Sequence, residues 1–142
     1  MAGPVGGFLF RLLAEPATRG MDIDDPAMTE RRRELARSKI GLKLSYAAWY
    51  RELTALAEGC PAGARVELGS GGGFLHEHLP GLIRSDLLAL RDIDLICRGE
   101  RLPFRDGSVG ALLLLNVLHH MHEVEGFLDE SVRVLKPEAG WR

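Results

Sequence analysis

The stretch Arg65-Val66-Glu67-Leu68-Gly69-Ser70-Gly71-Gly72-Gly73 decides the fold of this chain. Its first four residues have the character of a short strand, and the strand runs directly into a glycine-rich loop. Because glycine has no Cβ, the backbone of such a loop can approach a ligand closely. Amide groups at the start of a following helix can then face a polar or anionic group. The stretch therefore predicts a ligand-binding turn between a strand and a helix.

Segments with strand character alternate with helical segments along the rest of the chain. Strands are predicted at residues 82–86, 93–97 and 109–117, and the last of these is strongly apolar. A continuous apolar run suits a parallel strand that is covered on both faces. Apolar spacing from Val124 to Leu135 predicts an amphipathic helix that stops before Pro137. The alternation predicts an α/β fold, a Rossmann-like doubly wound and mostly parallel sheet of about four strands.

An N-terminal loop and helical cap are predicted for residues 1–63, ahead of a partial α/β domain in residues 64–142. The cap helix is expected to start after Asp25-Pro26 or Thr29, to stop at residues 59–63, and to be divided near Gly41. Apolar residues at steps of three or four predict its buried stripe. The members of this stripe are Leu42, Tyr46, Trp49, Leu53 and Leu56.

Composition excludes several classes of protein. The 142 residues carry a formal net charge of −2, with 46% hydrophobic and 27% charged residues, which indicates one globular domain and gives no reason to expect a nucleic-acid partner. No apolar run is long enough to span a membrane. The two cysteines, Cys60 and Cys97, are too few for a disulfide framework and have no zinc-site spacing. We expect a cytoplasmic protein without a membrane or nucleic-acid partner.

The residues around the glycine loop distinguish between two classes of cofactor. A dinucleotide site prefers G-x-G-x-x-G, whereas the sixth position here is Phe74. Glu67 lies two residues before the first glycine, and a carboxylate there would repel a pyrophosphate. It suits a ligand that has an ammonium group and no phosphate, such as S-adenosylmethionine. A nucleotide-dependent oxidoreductase remains the alternative that these two residues disfavour.

Residues 66–73 resemble the first motif of class I S-adenosylmethionine-dependent methyltransferases, close to the type 11 group. Further segments resemble later motifs of the same family in the same order. These segments are Ser85-Asp86, Leu102-Pro103-Phe104 with Asp106-Gly107-Ser108, Leu115-Asn116-Val117-Leu118-His119-His120, and Val134-Leu135-Lys136-Pro137. The resemblance implies S-adenosylmethionine as cofactor and methyl transfer to a small-molecule acceptor.

The resemblance also implies a set of cofactor-binding residues. In the family, the acid that follows the second strand accepts hydrogen bonds from the ribose hydroxyls, and Asp86 matches that position. The full set implied for this chain is Glu67, Gly69, Ser70, Gly71, Gly72, Asp86, Gly99 and Asn116. No catalytic residue follows, because alignment of the reacting groups supplies most of the acceleration in such a displacement.

The chain departs from the family pattern in two ways. Arg98 stands where the family usually has an acid next to the adenine, and Glu100 is the candidate substitute. Only four strands are expected, against the family's seven in the order 3-2-1-4-5-7-6, so we expect a chain truncated before the fifth strand. Strand 4 is then an open edge that can pair with another chain. A non-catalytic remnant or partner subunit is therefore the alternative function.

Three histidines follow the fourth strand, at positions 119, 120 and 122. Their spacing is compatible with metal binding, but no acid is clearly placed near them, so no metal is expected. We interpret them as packed or solvated loop residues. A general base among them is the alternative.

Overall fold

A computed structural model describes residues 25–138, so residues 1–24, which include most of the predicted N-terminal loop, and residues 139–142 lie outside the description. The strands are Ala64–Leu68 (β1), Leu82–Asp86 (β2), Leu95–Ile96 (β3) and Val109–Leu114 (β4). The helices are Pro26–Ser38 (α1), Ile40–Glu58 (α2) and Val124–Val134 (α3). All strand pairs are parallel, in the order β3-β2-β1-β4. The predicted Rossmann-like α/β fold with an N-terminal helical part is confirmed.

Two strands are shorter than predicted. Between β2 and β3, the Asp94 carboxylate accepts hydrogen bonds from the Arg84 backbone and guanidinium, each at 2.9 Å. The Asp94 N–H also donates to the Arg84 backbone oxygen at 3.0 Å, so the chain meets β2 at this residue, while β3 itself contains only two residues. β4 ends at Leu114, two residues before Asn116, whose φ of 59° turns the chain out of the extended conformation.

The cap helices begin and divide at specific residues. A side-chain oxygen of Asp25 accepts a hydrogen bond from the Ala27 N–H at 2.8 Å, so the first of the two predicted starts is correct. The predicted division lies at Lys39 rather than Gly41, because Lys39 has an extended backbone (φ −83°, ψ 120°). Gly41 lies inside α2. No helix within residues 25–138 combines the length and the apolar character that crossing a membrane requires.

The apolar stripe predicted for α2 is confirmed at Tyr46 and Leu53, which pack against the core, and is wrong by about one position at its other three members. The predicted members that remain roughly two-fifths exposed are Leu42, Trp49 and Leu56. The buried face centres instead on Tyr50 and Ala57, which are fully buried. The Tyr50 ring lies edge-on to Phe74 with centroids 5.0 Å apart, and its hydroxyl accepts a hydrogen bond from the Phe74 N–H at 2.8 Å. Contact with the glycine loop therefore sets the rotation of α2.

Two apolar clusters, one on each face of the sheet, form the core. Along β4, Ala111 and Leu113 pack with residues of α1 and α2, whereas Leu112 and Leu114 pack with residues of α3. Both faces of β4 are thus covered, which is the physical reason for its apolar run.

The segment Leu102-Pro103-Phe104 is held against α3 by Arg133. The Arg133 guanidinium donates to the backbone oxygens of Leu102 at 3.0 Å and Phe104 at 2.9 Å. The Glu130 carboxylate accepts a hydrogen bond from the Leu102 N–H at 2.7 Å, and Asp106 pairs with Arg133 at 2.6 Å. This segment and its acid therefore fix the chain that enters β4 against α3.

The outer edge of β4 carries the beginning of one further pairing. The Lys136 N–H donates to the Val109 backbone oxygen at 2.9 Å, and Leu135 forms a parallel bridge with Val109. Apart from this bridge, no strand of residues 25–138 covers that edge. Pairing of the edge with another chain stays a prediction.

Candidate functional site

The carboxyl ends of the strands border a cavity of about 650 Å³. Open parallel sheets bind ligands at this end, and small-molecule sites occupy roughly 300–1,000 Å³. The cavity is lined by all eight residues that the sequence predicted for the cofactor: Glu67, Gly69, Ser70, Gly71, Gly72, Asp86, Gly99 and Asn116. The fold brings them together, while their contact with a cofactor stays a prediction.

Gly69 is required both by its backbone and by packing. Its φ of 68° lies in the left-handed region that favours glycine. A Cβ at this position would lie 2.5 Å from Cγ2 of Val117, which belongs to the turn after β4. The next residue fixes the loop to β2, because the Ser70 N–H donates to the Ser85 backbone oxygen at 2.9 Å.

Amides of the glycine loop are directed at oxygen atoms of the protein. The N–H groups of Gly71, Gly73 and Phe74 each donate to such an oxygen, at 2.9, 2.6 and 2.8 Å respectively. The predicted helix after the loop is a single 3₁₀ turn, Leu75–Glu77. A phosphate site at a helix N-terminus needs free amides and an aligned helix dipole. The loop is therefore poorly suited to hold a pyrophosphate.

Asp86 ends β2 and fixes two parts of the site. One carboxylate oxygen accepts the Gly71 N–H at 2.9 Å, and the other accepts the Leu88 N–H at 3.0 Å. An ionised carboxylate has about four lone-pair positions. One position on each oxygen therefore remains available to a ligand hydroxyl while both backbone bonds are kept.

Glu67 lies at the end of β1, almost fully buried beneath the loop. The Ser70 hydroxyl donates to its Oε2 at 2.8 Å. Burial raises the pKa of Glu67 above its ordinary value, although the Ser70 hydrogen bond and the Arg84 charge oppose the shift. A desolvated carboxylate with one side-chain donor is well suited to pair with a ligand ammonium group.

Helix α1 lies directly on the glycine loop. The Arg33 guanidinium donates to the Gly71 backbone oxygen at 2.6 Å and lies 3.3 Å from the Asp92 carboxylate. A Cβ on Gly72 would lie 3.3 Å from the Thr29 backbone oxygen. Because positions 71 and 72 have no side chains, α1 can approach the loop backbone closely, and a ligand can do so from the cavity.

Gly99 has a packing role in addition to its place in the cavity. A Cβ on Gly99 would lie 3.0 Å from Cε of Met121 and 3.1 Å from a ring carbon of Phe127. The preceding Cys97 N–H donates to the Asp86 backbone oxygen at 3.1 Å, which places this segment beside the end of β2.

The turn after β4 brings Asn116 and the histidines to the cavity. Asn116 is exposed and has a left-handed backbone, a conformation enriched at functional sites. His119 and His120 lie with ring centroids 4.0 Å apart, and both line the cavity, as does His122. Within the described residues, no three His, Cys, Asp or Glu side chains are grouped to hold a metal ion.

Arg32 lines the cavity from α1 and is not among the site residues predicted from the sequence. Its neighbour Arg31 pairs with Glu34, and Arg33 pairs with Glu30. Arg32 makes no ion pair with the described residues. The sequence contains a signal for this difference. On a helix, Arg31 and Arg33 each have an acid three positions away, and Arg32 has none.

Fold and cavity together define a Rossmann-like domain with a cavity at the carboxyl ends of its strands. A family model described as a methyltransferase domain matches residues 66–140, just over half of the chain. The chain therefore belongs to this methyltransferase family, the type 11 group, consistent with class I S-adenosylmethionine-dependent enzymes. A search of curated proteins found no match to the chain.

Proposed function

We propose that this chain binds S-adenosylmethionine in the cavity and transfers its methyl group to a small-molecule acceptor. The observation that carries the proposal is the charge pattern of the cavity. Glu67 and Arg32 offer opposite charges to an amino-acid group, and Asp86 offers acceptor positions to a ribose. The Tyr46 side chain lies close enough to Glu67 and Arg32 for both charges to affect its pKa. Burial raises the Tyr46 pKa most, Arg32 lowers it and Glu67 raises it.

The residues present fit this cofactor better than a dinucleotide. A ligand with an ammonium, a carboxylate and a ribose has a partner for each group in Glu67, Arg32 and Asp86. A dinucleotide would place its pyrophosphate at a loop whose amides donate to protein oxygens, beside the buried Glu67. These contacts disfavour the oxidoreductase alternative.

The role of the protein in methyl transfer is to align the acceptor with the electrophilic methyl group that S-adenosylmethionine supplies when bound. Glu67 and Asp86 would orient the cofactor from the sheet, while α1 and α2 exclude water from above. Alignment of this kind supplies much of the acceleration in a displacement. For a hydroxyl or amine acceptor, His119 or His120 at the cavity is the candidate proton acceptor.

A partner subunit that binds the cofactor without catalysis is the second candidate function. It is favoured by the outer edge of β4, where Lys136 supplies the only described backbone hydrogen bond. Methylation of any acceptor by the purified chain would exclude the non-catalytic role.

We also propose a cytoplasmic location for the protein. The two free cysteines, Cys60 and Cys97, support it, because thiols stay reduced in that compartment.

Calorimetric titration of S-adenosylhomocysteine tests the proposed site. We expect binding by the wild-type chain. Binding by Arg32→Gln should be about tenfold weaker, because the ligand carboxylate loses its ion pair with the Arg32 guanidinium. Arg31→Gln is the matched control, since Arg31 pairs with Glu34 outside the cavity. Absence of binding by the wild-type chain, or tighter binding of a nicotinamide dinucleotide, would contradict the proposal.

Acidification is expected to weaken ligand binding and to increase the contribution of Glu67 to the stability of the ligand-free protein. Because burial raises the pKa of Glu67, the folded chain takes up a proton at a pH where the unfolded chain does not. The contribution of Glu67 to stability therefore rises as the pH falls through the raised pKa. Protonation also removes the charge that pairs with the ligand ammonium.

The two effects can be measured between about pH 7 and pH 5, as affinity for S-adenosylhomocysteine and as the difference in melting temperature between the wild type and Glu67→Gln. This difference cancels the opposing contribution of His76, whose pKa is lowered by burial. In Glu67→Gln, affinity should be lower and much less dependent on pH over this range. A wild-type affinity with the same shallow pH dependence as this variant would show that Glu67 does not pair with the ligand.

A further inference from the structure

Arg33, which extends from α1, does not line the cavity but contacts both backbone segments that hold Asp86. Its Nη2 donates to the Gly71 backbone oxygen at 2.6 Å, and its Nη1 lies 3.3 Å from the Asp92 carboxylate. Asp86 itself accepts the N–H groups of Gly71 and Leu88. Arg33 therefore binds from outside the same two segments that Asp86 binds from within.

The Arg33 side chain is largely buried where α1 crosses these segments. Only 14% of its side-chain surface is exposed, so water and salt screen its contacts little. Its Nη1 also lies 3.3 Å from the Glu30 carboxylate, three residues earlier on α1. Within the described residues, Nε is buried and has no hydrogen-bond partner. An unpaired buried donor costs free energy, so the contacts of Nη1 and Nη2 must offset that cost to keep the side chain in place.

The two segments reach Asp86 from opposite sides. Gly71 belongs to the glycine loop, and its N–H donates to Oδ2 of Asp86. Leu88 follows β2 and lines the cavity, and its N–H donates to Oδ1. Asp92 lies four residues beyond Leu88. If the segments moved apart, one donor would leave its carboxylate oxygen and the Asp86 side chain would turn.

We propose that Arg33 is a positioning residue, which holds the Asp86 carboxylate in the orientation that the ribose hydroxyls of the cofactor require. The inference rests on the proposed function, because it assumes that Asp86 binds the ribose. Arg33 acts through Gly71 and Asp92 rather than on the ligand. A guanidinium suits this role because its planar fork can bond two acceptors in fixed directions, whereas the ammonium of a lysine is a compact charge on a flexible stem.

Calorimetric titration of two ligands into four proteins tests the proposal. The ligands are S-adenosylhomocysteine and its 2′,3′-dideoxy analogue, which has no ribose hydroxyls. The proteins are the wild-type chain, Arg33→Gln, Arg33→Lys and Arg37→Gln. Arg37 is the matched control, because it also fixes α1 near the glycine loop, through Glu77 and the ring of Phe74, and it does not line the cavity.

We expect the wild-type chain and Arg37→Gln to bind S-adenosylhomocysteine at least about tenfold more tightly than the dideoxy analogue. In Arg33→Gln this ratio should fall by about threefold or more, because a misoriented Asp86 gains less from the hydroxyls. Arg33→Lys should give a ratio between those of the wild type and Arg33→Gln. General loosening of α1 would lower both affinities alike, so the ratio reports on the ribose contact.

The outcomes separate the inference from the proposed function. An unchanged ratio in Arg33→Gln, an equal fall in Arg37→Gln, or equal binding of both ligands by the wild-type chain overturns the role of Arg33 and leaves the proposed cofactor intact. Arg33→Lys keeps the charge and most of the stem, so a wild-type ratio in this variant overturns the role even if Arg33→Gln does not fold. Absence of binding of S-adenosylhomocysteine by the wild-type chain overturns the proposed function and the inference together.

Discussion

Asp86→Ala is expected to weaken the binding of S-adenosylhomocysteine by about 100-fold. The wild-type carboxylate has one free acceptor position on each oxygen for the two ribose hydroxyls, and hydrogen bonds to a charged group contribute roughly 1.5–3 kcal/mol each. The variant also releases the N–H groups of Gly71 and Leu88, so the glycine loop loses its attachment to the end of β2. Calorimetry measures the affinity, and a thermal melt measures the effect on folding.

A ligand without ribose hydroxyls separates direct contact from loop disorder. The wild-type chain should bind the 2′,3′-dideoxy analogue more weakly than S-adenosylhomocysteine, whereas Asp86→Ala should bind the two compounds about equally. Asp129→Ala, an exposed substitution on α3 outside the cavity, should leave both affinities unchanged. If Asp86→Ala still discriminates between the compounds, another group holds the ribose.

The sheet and the position of the site could be predicted from sequence because their signals are local. An apolar run predicts a buried strand, and a glycine loop after such a run predicts the ligand-binding end. These signals located the ends of β1 and β2, and with them Glu67 and Asp86 at the cavity. Parallel strands then bring their carboxyl ends to one edge without any further information.

The features that could not be predicted from the sequence depend on contacts between distant segments of the chain. Arg32 belongs to a basic run that reads as the solvated side of a helix, and its place at the cavity depends on how α1 crosses the glycine loop. The rotation of α2 also depends on a distant contact, because the Tyr50 hydroxyl accepts a hydrogen bond from the Phe74 N–H, 24 residues further along the chain. Helical periodicity alone cannot distinguish this face from one displaced by a single residue.

Glycine roles are also difficult to assign from sequence. Gly99 was predicted to bind cofactor, yet the structure adds a packing reason, since Met121 and Phe127 occupy the space of a side chain. The importance of Gly110 could not be predicted, because a glycine inside an apolar strand does not by itself indicate a close backbone contact. Its importance arises from the loop that precedes β1, which packs directly on the β4 backbone.

Gly110→Ala is expected to be the most destabilising single substitution proposed for this chain. A Cβ at position 110 would lie 2.3 Å from the Pro61 backbone oxygen and 3.2 Å from the Gly63 nitrogen. Backbone atoms cannot rotate away as a flexible side chain can, so the loop must separate from β4. Overpacking typically costs 1–3 kcal/mol, and we expect a loss of about 3 kcal/mol or more in the free energy of unfolding.

Urea unfolding and a thermal melt measure this loss, which corresponds to a fall of roughly 10 °C in melting temperature. Gly41→Ala is the control, because a Cβ on Gly41 meets nothing within 4 Å and α2 should gain about 0.5–1 kcal/mol. A Gly110→Ala protein within about 1 kcal/mol of the wild type would mean that residues 59–63 can shift freely. Since this loop joins the helical cap to β1, its displacement should also move Arg32 away from the cavity and lower affinity for S-adenosylhomocysteine.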